Sequence, residues 1–170
     1  MAFDFIGWSE GGDDYVRLQT LITEDLQEIG MDPSISLETG AVLWDIDGIE
    51  MTGNFDMNMW DDGYPGTDPS DYLWVYYSSS GVPAAELEGW NIGYWMNEDF
   101  DALLDETYTL DEEYRKELFC DMSAIMAEEL PSIPLNGVPE ITVYNNRIEG
   151  IQSTINAMAN WNIADWKIVP

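Results

Sequence analysis

The sequence predicts an α/β fold, and three observations carry that reading. A β-α-β order occupies the first 38 residues; an alternating segment, Phe55-Asp56-Met57-Asn58-Met59-Trp60, then runs into a loop dense in Gly, Pro and Asp; and two helical patterns follow further along. Parallel strands need a crossover between them, so a strand, an amphipathic helix and a second strand in that order favour parallel pairing. The 170 residues fit one domain, and 45% hydrophobic with 13% aromatic residues is too apolar for disorder.

The elements follow in order. Phe3-Asp4-Phe5-Ile6 has strand composition and ends at Gly7. Asp13 and Asp14 suit a helix N-terminus, and Tyr15, Leu18, Ile22, Leu26 and Ile29 form one apolar stripe that Gly30 stops. Pro33 opens a short strand, Ile35-Ser36-Leu37. A short helix is expected over Ala41–Ile49, ended by Gly53, before the alternating strand Phe55–Trp60. The stretch Asp61–Asp71 holds Gly63, Pro65, Gly66 and Pro69 and reads as a loop at a strand end, where α/β proteins usually bind ligands. Asn97 caps a helix that uses Phe100, Leu103 and Leu104. Thr109 and Glu112 have capping-box spacing for a longer helix with Tyr114, Leu118, Met122, Ile125 and Met126 on one face, stopped by Pro131. Two strands, Ile133–Leu135 and Ile141–Tyr144, are expected next, before a Gly- and Asn-punctuated tail.

Charge excludes several functions. Five Lys+Arg against 34 Asp+Glu leave a net −29 with no histidine, which disfavours nucleic acid and repels anionic membranes. Such acidity predicts a high-salt source or work outside the cell, since self-repulsion weakens the compact state until ions screen it. No apolar run approaches the ~20 residues of a membrane span, and the start, Met1-Ala2-Phe3-Asp4, lacks the pattern of a signal peptide. Cys120 is the single cysteine, so neither an intrachain disulfide nor a cysteine-built zinc site forms.

Three motifs invite catalysis or metal binding. Gly7-Trp8-Ser9-Glu10-Gly11 matches G-x-S-x-G between a strand and a helix, but such a serine needs a histidine base and the chain has none. The aspartates of 61–71 could hold calcium, although they do not follow the EF-hand register. Paired carboxylates for glycoside hydrolysis carry no information among 34 acids. Eight tryptophans, several in expected loops, instead suit a site that stacks on a ligand.

Four stretches resemble the C-terminal lobe of the family 5 extracellular solute-binding proteins, the peptide, nickel and oligosaccharide receptors of ABC importers. They are Leu26-Gln27-Glu28-Ile29-Gly30-Met31; Gly53-Asn54-Phe55-Asp56-Met57 through Trp60 to Asp68-Pro69; Asn91 through Gly93-Tyr94-Trp95 and Asn97 to Leu104; and Glu128-Glu129-Leu130-Pro131 to Ile133-Pro134-Leu135. The resemblance implies one lobe, residues 1–170, of a periplasmic-binding-protein-like type II clamshell, with a mixed sheet flanked by helices. It implies a non-enzymatic binding component that captures peptide or a similar small solute and delivers it to the permease, with no cofactor and no metal. Its partners would be the ligand, the N-terminal lobe of the same receptor and the ABC permease. The location would be extracellular, as a cell-surface lipoprotein, or periplasmic, with the export signal absent from this chain. Residues 151–170 would return toward that other lobe and show an exposed apolar face. In peptide-binding members an aspartate after the strand-ending Trp pairs with the ligand's α-ammonium. Here that role falls on Asp61 or Asp62, with Asp62 preferred, while Trp60 and Tyr64 offer stacking faces, Asn91 bonds ligand backbone, and Asp68 and Tyr94 complete the candidate set. A hydrolase of extracellular polymers and a calcium-dependent adhesion module remain the alternatives.

Overall fold

The computed structural model describes residues 1–63, 66–83, 89–137, 141–154 and 157–170. β1 (Ala2–Trp8) lies at the centre of a parallel sheet in the order β2-β1-β3. β2 (Asp32–Glu38) pairs with all seven of its residues, and β3 (Met57–Met59) pairs with Phe5 to Gly7. The first strand thus runs through Gly7 to Trp8, because β2 offers partners as far as Glu38. β3 is shorter than its alternating pattern. Its ladder starts at Met57, and before that the Asp56 carboxylate accepts the Asp4 amide at 2.9 Å, so a side chain stands where a strand carbonyl would.

α1 (Asp13–Glu28) forms the crossover and ends, as expected, with Gly30 at φ 86°, a left-handed position that costs glycine nothing. Its buried line is Tyr15, Gln19 and Thr23, flanked by the half-buried Leu18 and Ile22, whereas Ile29 lies past the helix end and is exposed. Gln19 donates to the Phe5 carbonyl at 3.1 Å. A Cβ at Gly7 would come within 2.7 Å of the Gln19 amide, so glycine there is what lets the helix settle on the strand. Phe5, Tyr15 and Met59 form this core, with Phe3, Trp8, Leu18, Ile22 and Met57 against it.

The helix expected over Ala41–Ile49 is only α2 (Gly40–Trp44); the backbone turns extended at Asp45, and Gly53 serves a later turn at φ 66°. A further helix, α3 (Pro69–Tyr77), begins inside the expected loop, because Asp68 accepts the Ser70 amide and Pro69 opens its first turn. α4 (Glu98–Glu106) is capped by Asn97, as read from the sequence. α5 (Glu112–Glu129) is capped by Asp111, which accepts the Tyr114 amide at 3.1 Å; Thr109 supports that cap by accepting the Asp111 amide. Phe100, Leu104 and Met122 make a second core under α3, α4 and α5.

The expected strands Ile133–Leu135 and Ile141–Tyr144 are not formed. Pro134 offers no amide, no neighbouring strand among the described residues pairs with either segment, and Ile133, Leu135, Ile141 and Val143 stand exposed. β4 (Ile148–Glu149) and β5 (Lys167–Ile168) make a separate antiparallel ribbon. Met158, Trp161, Ile163 and Ile168 provide the exposed apolar surface expected in the tail.

Candidate functional site

Strand order alone locates a crevice. From β1 the chain crosses to β2 on one side and returns to β3 on the other, so the direction of winding reverses between β1 and β3, and ligands settle beyond the carboxyl ends of strands at such a point. The last β1–β3 pair is Gly7 with Met59. Trp8 and Trp60 each follow that pair by one residue. Trp8 lies against Trp44, ring centroids 5.4 Å apart, and Trp60 against Tyr76 at 5.7 Å, with Tyr72 a further 4.7 Å from Tyr76. Two aromatic walls therefore stand at the mouth, one from the β1 side and one from the β3 side.

Acidic groups line the same edge. The Tyr15 hydroxyl accepts the Trp8 amide at 3.3 Å; burial pushes it up to about 12, and the charges of Glu50 and Asp61 add to the rise. Burial likewise raises Tyr76, with its hydrogen bond to Asp62 and that residue's charge adding, and pushes Tyr72 up to about 12, with Tyr77 and Asp62 contributing. Asp62 also accepts the Gly63 amide at 2.8 Å. Asp61 and Asp62 are exposed and Trp60 is half-buried, so all three are open to a ligand. Tyr64 lies outside the described residues.

The other sequence candidates are engaged in holding the fold. Asp68 caps α3 and pairs with Arg115, and its carboxyl is held low, first by the Ser70 amide and then by Arg115. Asn91 is 1% exposed and donates to the carbonyls of Ser78 and Trp95, at 3.0 and 2.6 Å. Tyr94 sits at φ 53°, unusual for a non-glycine residue, and its hydroxyl donates to the Met51 carbonyl at 2.7 Å.

The structure adds residues that the sequence reading passed over. Tyr72 and Tyr76 lie four apart on α3 and so share a face; recognising Asp68-Pro69 as a helix start would have exposed that spacing. Glu10 accepts both the Gly40 amide, at 2.9 Å, and the Trp8 indole N–H, at 2.8 Å, which together hold its carboxyl below the usual value, Gly40 most of all. Glu50 is 1% exposed and accepts from the Trp44 indole at 2.7 Å and the Asn58 amide at 3.2 Å; burial pushes it above the usual range. Ser9 is exposed on the loop after β1, in a chain without histidine. Among the described residues no three acidic or thiol groups gather as metal ligands. A depression of about 530 Å³ lies elsewhere, lined only by α5 residues from Glu112 to Ser123.

No family model matches the chain. A curated relative, the peptide transport periplasmic protein SapA of Haemophilus influenzae, is 32% identical over 65 residues, which are 38% of this chain and 12% of that protein. The Campylobacter jejuni protein NikZ, solved in complex with Ni(L-His), superposes with a TM-score of 0.74 at 19% identity, covering 98% of this chain and 33% of its own. An oligopeptide binding protein from Thermus thermophilus, solved with a pentapeptide, gives 0.65 at 27% identity over 79% of this chain and 24% of that one. The chain resembles the family 5 solute-binding proteins of peptide and nickel ABC importers. DppA of Helicobacter pylori, solved with the peptide STSA, matches 76% of the chain at a TM-score of 0.66 and 20% identity. The chain thus has the α/β fold of these binding proteins, with a parallel sheet flanked by helices, and spans between a quarter and a third of the solved relatives' length.

Proposed function

We propose that the chain is the C-terminal lobe of a peptide receptor, working outside the membrane with a second lobe of the same receptor and an ABC permease, and performing no covalent chemistry. The observation that carries this reading is the pairing of Trp60 and Tyr76 beside Asp62, at the carboxyl end of the strand where the winding reverses. Asp62 pairs with the ligand's α-ammonium, and Asp61 adds negative potential at the same mouth. Trp60, Tyr72 and Tyr76 supply the stacking wall, and Tyr64, outside the described residues, is the further stacking residue that the sequence offers. Asp68, Asn91 and Tyr94 hold α3 and the turns beneath it. Closure by a second lobe excludes water and strengthens the carboxylate–ammonium attraction. A neutral sugar would leave Asp62 without a cation to match.

The test is ligand binding by the receptor purified from its native cells. Asp62→Asn should weaken a peptide with a free α-amino group about tenfold, the worth of one charge-assisted hydrogen bond, and leave the N-acetylated peptide unaffected. Equal loss for both peptides, or no loss, refutes the ammonium assignment. Turnover of the peptide by the purified protein would revive the hydrolase alternative.

A further inference from the structure

We propose that Trp8, Trp44 and Glu10 form a second subsite of the crevice, one that takes a guanidinium-bearing side chain of the bound peptide. This deepens the peptide-receptor reading and rests on it for the ligand class, though not for the chemistry of the subsite.

Four features point there. Trp8 and Trp60 each follow the Gly7–Met59 pair by one residue, so the wall that Trp8 makes with Trp44 and the wall that Trp60 makes with Tyr76 stand at the same end of the sheet, at the crevice. The two indoles meet at 53° rather than stacked flat, and each keeps part of its surface exposed, so some ring surface stays open. The Glu10 carboxylate is fixed at the edge of the Trp8 ring: Oε2 takes the indole N–H and the Gly40 amide, and among the described residues Oε1 has no partner and no cation pairs with the group. Finally, the site is built to close tolerance. A Cβ at Gly40 would fall 2.7 Å from the Trp44 ring and 3.3 Å from the Glu10 oxygen, so the ring and carboxylate approach as they do because residue 40 is glycine.

An indole face beside a fixed carboxylate favours a planar cation. Guanidinium stacks on the ring through its flat face, donates in plane to the free carboxylate oxygen, and sheds its weak hydration at little cost. A neutral planar group would gain the stacking alone. Glu10 stays ionised wherever the peptide would be bound, since its two hydrogen bonds favour the charged form.

The experiment reads the indole N–H signals of the ¹⁵N-labelled chain during titration with ethylguanidinium, ethylurea and propylammonium. The expected result is saturable shifts at Trp8 and Trp44 with ethylguanidinium, absence of response to ethylurea, a weaker response to propylammonium, and no matching shift at Trp161. Glu10→Gln, which keeps an oxygen for the Gly40 amide, should weaken the ethylguanidinium response about tenfold; if its spectrum reports unfolding, Trp44→Leu replaces it. Uniform shifts at every tryptophan, or a variant that responds like the parent, overturn the subsite. A second arm compares Ala-Arg-Ala with Ala-citrulline-Ala on the native receptor. About tenfold preference for arginine supports the subsite and equal binding overturns it, with the peptide reading intact. Ethylguanidinium binding without affinity for either peptide sinks the peptide reading and leaves the subsite standing.

Discussion

Replacing Arg115 with methionine keeps most of the aliphatic stem and removes the guanidinium, which lies over the Phe119 ring and joins three helices at once. Its Nε donates to the Thr107 carbonyl at the end of α4, and its Nη2 bonds the Ser70 hydroxyl at 2.9 Å and the Asp68 carboxylate at the start of α3. Ser70 and Thr107 are essentially buried, so those two bonds are sheltered from water and worth about 1.5 kcal/mol or more each, as bonds to a charged donor. Asp68 is half-exposed, so the ion pair itself adds about 0–1 kcal/mol. The cation over Phe119, 5.2 Å from the centroid, adds about 0.5 kcal/mol. Arg115→Met should therefore cost on the order of 3.5–4.5 kcal/mol, a fall in Tm of about 7–18 °C for a domain of this size. Urea and thermal unfolding followed by tryptophan fluorescence measure it. The loss should persist in molar salt, because screening removes the smallest contribution and leaves the two sheltered bonds. A loss under about 1 kcal/mol, or one that salt abolishes, would refute the claim that these bonds, rather than the ion pair, join α3 and α4 to α5.

Two further outcomes follow from charge. Glu50 is raised above its unfolded value near 4.5 by burial, so the native state holds that proton more tightly; its contribution is fully present below the unfolded value and is lost as pH rises through the native one. Urea midpoints between about pH 4 and 7 should show that decline in the parent and a flatter profile in Glu50→Gln, and identical profiles would refute it. Tm should also rise between about 0.1 M and a few molar KCl as screening shortens to a few Å, and a flat response would remove the high-salt reading of the −29 charge.

What the sequence disclosed is what local pattern controls. The glycine at the end of α1 and the Asn97 cap are decided within a few residues and hold, while the apolar stripe holds in part: Tyr15, Leu18, Ile22 and Leu26 lie on the inner side, Gln19 and Thr23 share the buried line, and Ile29 is exposed. α3 escaped because Leu73, Trp74, Val75, Tyr76 and Tyr77 are apolar all round, which erases the helical period; only its Asp68-Pro69 start carried a signal. The segments Ile133–Leu135 and Ile141–Tyr144 have strand composition, but a strand is made by its neighbour, and composition does not supply one. The site divides in the same way. Trp60, Asp61 and Asp62 follow a strand end that alternation reveals. Asp68 and Asn91 have suitable chemistry, and both bond to the protein itself, Asp68 to Ser70 and Arg115 and Asn91 to Ser78 and Trp95, partners that no spacing discloses. Glu10 is the reverse case, an unremarked loop acid that β1, α2 and two indoles gather into one place.

The acidity and the crevice have connected consequences. A chain at −29 attracts any cation at long range, so in dilute salt its surface offers abundant but indiscriminate attraction. Raising the salt removes that background within a Debye length of a few Å. Contacts at hydrogen-bond distance survive. Of the exposed carboxylates at the crevice, Glu10 is fixed by the Trp8 indole and the Gly40 amide, and Asp62 accepts the Gly63 amide. The preference for a cationic peptide over a neutral one should therefore fall only part-way as salt rises and then level off, while the association rate keeps falling, because screening strips away the diffuse attraction and leaves these two oriented groups. Binding whose selectivity vanished along with the rate, with no plateau in molar salt, would place recognition in the general field of the surface and not in the crevice.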